Sequence, residues 1–150
     1  MENVRKCGEH ARSLGLEVAM ELEPFKLSLI NSVDTMLQFL DDVGLPNVLA
    51  NCDISHLDLV RTPFEEVKRL KGRIAHVHLS DCDGKVHGDL PPGRGVTPIK
   101  RYLQEIRDTG FDRTVSIELE YSPQLDKIVE WVTEAYERTD AIMRELDCRS

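Results

Sequence analysis

"RIAHVHLSD", residues 73–81, alternates in a way that decides the fold. Read as a strand, it sends Ala75, Val77 and Leu79 to one side and His76 and His78 to the other. One face is apolar enough to pack on helices. The other carries two imidazoles toward the strand's C-terminal end, where a polar loop, "CDGKVHGDLPPGRG" (82–95), follows.

Outward from this strand the same unit recurs. "LEVAMELE" (16–23), "NVLANCD" (47–53) and "RTVSIELE" (113–120) read as strands, the first stopped by Pro24. Between and around them lie predicted helices over 2–14 ending at Gly15, 32–44 with Ser32 as N-cap, 62–72, 97–109 and about 125–146. Strand and helix alternate, so the class is α/β with a parallel sheet. On one face stand Val18, Met20 and Leu22; Val48, Ala50 and Cys52; Ala75, Val77 and Leu79; and Val115, Ile117 and Leu119. The other carries Glu21, Glu23, Asn51, Asp53, His76, His78, Ser116, Glu118 and Glu120.

A doubly wound sheet would bury those carboxylates and imidazoles under a second helix layer. A closed (β/α)8 barrel instead opens at the C-terminal ends of its strands, where polar groups can meet a ligand. Such barrels typically take about 250 residues, and four βα units make half of one. The expectation is a partial (β/α)8 TIM barrel, roughly strands five to eight with their helices, as a single domain over residues 1–150. The two outer strands would then have unpaired edges, which invites self-association or pairing with a missing N-terminal half.

Composition narrows the function. The chain carries 27 acidic and 19 basic side chains for a net charge of -8, and the basic ones are scattered. Nucleic acid is therefore a poor partner. Cys7, Cys52, Cys82 and Cys148 form no CxxC pair, no stretch has the character of a signal peptide, and no apolar run suffices to span a membrane. A reduced, cytoplasmic protein is the expectation.

"ELEP", "DISH", "HVHLSD", "PGRG" and "SIELE", one group per strand or following loop, resemble the xylose isomerase-like barrels, specifically the sugar phosphate isomerase/epimerase group with the ketose 3-epimerases. The resemblance covers almost the whole chain. It implies a divalent metal held by one ligand from each strand: Glu23, Asp53, His78 and Glu118. Glu21 shares the face of Glu23 and is its leading rival. Three carboxylates and one imidazole make a mostly hard site suited to Mn²⁺ or Mg²⁺, with Co²⁺ and Zn²⁺ left open. The implied activity is isomerisation or epimerisation of a sugar or sugar phosphate, with Glu23 and Glu118 moving the proton beside a carbonyl. His56, His87 and Arg94 are the candidate substrate contacts.

Other polar residues have plainer readings. Asp58 and Glu120 are expected as solvated or ion-paired carboxylates, His76 as a core histidine, His10 as a surface residue, and Cys52 and Cys82 as packing or loop residues. Two positions depart from the ketose 3-epimerases: Gly84 stands where they carry Arg, six residues after His78, and Leu29 where they carry Glu, six after Glu23. A related lyase or dehydratase and a non-catalytic fragment therefore stay open. An endonuclease is disfavoured, since it would need more metal-binding histidines and a basic surface.

Overall fold

The computed structural model describes residues 1–121 and 124–148. Four parallel strands, β1 (Val18–Glu21), β2 (Val48–Asp53), β3 (Ile74–Leu79) and β4 (Val115–Ile117), pair in the order β1-β2-β3-β4. The order never reverses, so the topological switch point of a doubly wound sheet is absent from it. The sheet curls strongly. Neighbouring strands are about 4.8 Å apart, yet Arg113 before β4 pairs with Glu17 before β1, joining the starts of the two outer strands. The concave side of that curve is the polar face.

Helices cover the convex side. They are α1 (Glu2–Ser13), α2 (Val33–Val43), α3 (Ile54–Leu59), α4 (Ile99–Asp108) and α5 (Ile128–Glu145). α2 shows how sequence sets such a helix. Ser32 accepts from the Thr35 amide at 3.1 Å, and the Thr35 hydroxyl accepts from the Ser32 amide at 2.9 Å, a reciprocal cap worth about 1 kcal/mol. Val33, Met36, Phe39, Leu40 and Val43 then fall on one buried stripe, and Gly44 ends the helix at φ 67°, a left-handed position that a side chain would strain. The stripe packs with Val48, Ala50, Cys52, Val77 and Leu79 in one core.

Three expectations change at the level of elements. The segment after β2 forms the short helix α3, capped by the Asp53 carboxylate, where no helix was predicted. The helix expected over 62–72 is a 3₁₀ segment, Phe64–Leu70, entered through Pro63. Ala75 does not join the core; Ile74 does. Ala50 pairs with Ile74 and Asn51 with His76, so β3 carries one extra residue there, and this bulge breaks the alternation that placed Ala75 inward. Among the described residues no helix is long and apolar enough to cross a membrane.

Candidate metal centre

The polar groups gather at the C-terminal ends of the strands. Glu21, the last residue of β1, Asp53, the last of β2, His78 in β3 and Glu118, just past β4, each bring a ligand atom within 4.8 Å of the others. Backbone pairing sets these positions: Asp53 lies opposite His78, and the Glu118 amide continues the ladder by donating to the Leu79 carbonyl at 3.1 Å. His78 Nδ1 is 2.8 Å from Glu21 Oε1 and 2.6 Å from Glu118 Oε2. Neither approach is aligned as a hydrogen bond, and Nδ1 has no hydrogen-bond partner among the described residues. Two carboxylate oxygens crowding one ring nitrogen outside hydrogen-bond alignment is an arrangement that a cation between them would relieve.

Asp53 is completely buried and divides its two oxygens. Oδ1 accepts from the His56 amide and the Ser55 hydroxyl, both at 2.9 Å, capping α3. Oδ2 is buried with no hydrogen-bond partner among the described residues, which is costly unless something positive binds it. Burial holds the Asp53 carboxyl well above its ordinary value; the bonds from His56 and Ser55 oppose this, and the nearby Asp89 and Glu118 add to it. Burial likewise raises Glu21, partly offset by His78. A divalent ion would favour the ionised forms and so oppose both shifts. Asn51 supports the group by donating to Glu21 Oε1 at 2.8 Å.

Glu23 does not join the group; Glu21 takes the place expected for it. β1 ends at Glu21, and the Glu23 amide then bonds to the Ile30 carbonyl, which turns the chain into the loop before α2. Arg94 is also placed differently from expectation. Its guanidinium lies 4.6 Å from the Trp131 ring and bonds through Nε to Glu134 at 2.9 Å, so it fastens α5 to the loop instead of facing the carboxylates. His56 and His87 do approach each other, with ring centroids 4.7 Å apart. His87 lines an open cavity of about 450 Å³ with Pro24, Phe25, Leu59, Lys85 and Tyr121. His76 stands half-buried at a right angle to His78, its pKa lowered by burial and by that neighbour. Asp58, expected as a solvated or ion-paired carboxylate, is buried near Cys82 and Thr97.

Asp81, which the sequence reading passed over, builds the loop that carries His87. Its carboxylate accepts from the amides of Cys82, Gly93, Gly95 and Thr97 at 2.7–2.9 Å. Its backbone pairs with Leu90 in both directions at 2.8 Å. Gly95 is required by this closure, because a Cβ there would lie 2.1 Å from the Cys82 carbonyl oxygen. The signal was present in the sequence as a carboxylate leading into a glycine-rich loop.

A family model described as xylose isomerase-like TIM barrel matches residues 1–145. Fructoselysine 3-epimerase of Escherichia coli O157:H7 is 25% identical over 120 residues, 79% of this chain and 44% of that protein. Inosose isomerase of Bacillus velezensis is 24% identical over 151 residues, 95% of this chain and 54% of that protein. Among solved structures, the IolI protein with a bound zinc atom superposes with a TM-score of 0.85 at 21% identity, over 95% of this chain and 54% of that one. The chain thus spans about half the length of these relatives.

The Asp81 network makes a stability prediction. Asp81→Ala leaves four amides without their charged acceptor and should destabilise the chain by on the order of 3 kcal/mol in urea unfolding. A loss below about 0.5 kcal/mol, the usual range of surface substitutions, would show that the loop stands without it.

Proposed function

Because the chain belongs to the xylose isomerase-like TIM-barrel family, we propose that it is the metal-binding half, strands five to eight, of a barrel enzyme that isomerises or epimerises a sugar or sugar phosphate. The observation that carries this reading is the convergence of Glu21, Asp53, His78 and Glu118 from four consecutive strands. The epimerases and isomerase among the relatives, and the zinc held by the IolI protein, favour it. Those names do not single out a sugar, and Gly84, six residues after His78, makes this chain's contacts its own.

The donor set fits a divalent cation. Three carboxylates and an imidazole, one buried carboxylate oxygen having no hydrogen-bond partner among the described residues, suit Mn²⁺ first, with Mg²⁺, Co²⁺ and Zn²⁺ also compatible. When bound, such an ion polarises a substrate carbonyl and acidifies the adjacent carbon. Glu21 and Glu118 come from the first and last strands and approach the same point from different sides. One carboxylate can therefore take the proton from that carbon while the other returns one, and return from the opposite face inverts the centre. Asn51 holds Glu21 in position, and His56 and His87 mark the side from which substrate oxygens arrive.

A half barrel needs company. The outer edges of β1 and β4 have no strand paired to them among the described residues. Beside β4, α5 exposes Val129, Val132 and Tyr136, at 74%, 53% and 53%, on one side of the helix. An apolar stripe next to an open edge fits a further βα unit, either an N-terminal half or a second copy of this chain.

Two predictions follow from this reading. In Mn²⁺ titration calorimetry Glu21→Gln should weaken binding at least about tenfold, as loss of a direct ligand does, while Glu23→Gln leaves it unchanged. The reverse order would return the ligand to Glu23. In sedimentation the chain should self-associate at micromolar concentration, and the associated, metal-loaded form should wash deuterium from D₂O into the carbon beside the carbonyl of a ketose. Glu118→Gln should slow that exchange by about 10² or more. A folded monomer in sedimentation, full exchange by Glu118→Gln with metal content unchanged, or no exchange across a broad ketose panel would contradict the proposal.

A further inference from the structure

The cavity that His87 lines has a chemistry unlike that of the four converging ligands. The loops that leave the C-terminal ends of β1, β3 and β4 meet there and bring Phe25, Val86 and Tyr121, which are 51%, 64% and 71% exposed. With Pro24 and Leu59 they form an apolar lining around about 450 Å³, within the range of roughly 300–1,000 Å³ that ligand pockets occupy. We propose that this cavity receives a flat apolar group, an aryl ring above all, so that the sugar acted on beside Asp53 is one that carries such a substituent; the proposal rests on the sugar reading above.

His87 joins the cavity to the carboxylates. Its ring lies 5.5 Å from that of Phe25 and 5.6 Å from that of Tyr121, edge-on to each at 69° and 71°. The same ring is 4.7 Å from that of His56, whose Nε2 is 4.0 Å from Asp53 Oδ1. Four rings thus run from the exposed rim to the buried carboxylate, and a substituent on a sugar held at Asp53 falls within their reach. The loops that carry the walls also continue from the ligands: Phe25 follows Glu21 by four residues, and Tyr121 follows Glu118 by three.

A bare sugar does not match these walls. Each of its hydroxyls is both donor and acceptor, and one buried without a partner costs free energy. A sugar stacked on one of the rings would still need partners for the hydroxyls around its edge. Among the described side chains of the lining, only Lys85, His87 and the Tyr121 phenol can supply them. The Lys85 ammonium is countered within its own turn by Asp83, whose carboxylate also accepts from the amides of Lys85 and Val86, both at 2.8 Å. A phosphate or carboxylate would therefore meet an ammonium that already has a carboxylate beside it. An aryl ring needs no hydrogen-bond partner. It would cover Phe25 and Tyr121 and add edge-to-face contacts of the kind that His87 already makes. Polar partners for the sugar itself stand instead where Glu21, Asn51, His78 and Glu118 meet.

Ligand binding to the Mn²⁺-loaded chain tests this. In titration calorimetry, fructose bearing an anilino group at one end, or a benzyl ether at the other, should bind at least about tenfold more tightly than fructose itself. Phe25→Ala and Tyr121→Ala should each remove about fivefold or more of that gain and leave fructose binding and Mn²⁺ affinity unchanged. Phe25→Leu keeps an apolar side chain, and part of the gain, should the alanine variant fail to fold. Benzyl alcohol, the ring without the sugar, should shift the Phe25 and Tyr121 ring signals in NMR spectra. No such shift, equal affinity for fructose and both aryl derivatives, tighter binding of fructose phosphate than of either derivative, or the full gain kept by both alanine variants overturns the inference and leaves the sugar reading standing. A shift with benzyl alcohol but no binding of any of these ketoses overturns the sugar reading and the inference with it.

Discussion

The buried carboxylate of Asp53 ties the fold to its chemistry. One oxygen caps α3 and so fixes how the chain leaves β2; the other has no hydrogen-bond partner among the described residues, and the carboxylate stands with Glu21, His78 and Glu118. A buried carboxylate half used by the backbone and half left open is unfavourable by itself, and its raised pKa is the sign of that. A cation turns the same feature into a stabilising one. The curvature of the sheet serves the same end: it turns the side chains of Glu21 and His78 toward each other across an intervening strand.

Much of this was legible in residues 73–81. Alternation gave the apolar and polar faces, the ladder puts Asp53 opposite His78, and three of the four residues that come together are ones the motifs had singled out. The fourth was displaced by two residues. Glu21 and Glu23 point to the same face, so alternation could not separate them; the separation comes from where β1 stops pairing, a boundary set by the loop bond between Glu23 and Ile30. Ala75 was misplaced because a bulge is a property of two strands and not of one sequence. The partners of Arg94, Trp131 and Glu134, lie far along the chain on α5 and so could not be read from its own segment. The role of Asp81 was missed for the same reason: four amides, two of them on glycines, meet it only once the loop has closed.

The loop that follows β3 is built as tightly as the strands beside it. Its closure by Asp81 places Asp89 under Ser55 and Ser80 and brings His87 over His56, so residues with no regular secondary structure are held by a buried network. Flexible segments rarely position ligands well; this one is pinned at both ends and through its middle. The outer edges of β1 and β4, unpaired among the described residues, and the exposed apolar residues of α5 show the opposite condition.

The central claim is that Glu21, Asp53, His78 and Glu118 hold one divalent ion. Anomalous scattering from crystals of the chain grown with Mn²⁺ tests it most directly. The account predicts a peak bonded to one oxygen of each carboxylate and to His78 Nδ1, at about 2.0–2.3 Å as for oxygen and imidazole ligands generally. A peak ligated by Glu23 in place of Glu21, or no peak within reach of Asp53 Oδ2, would contradict it.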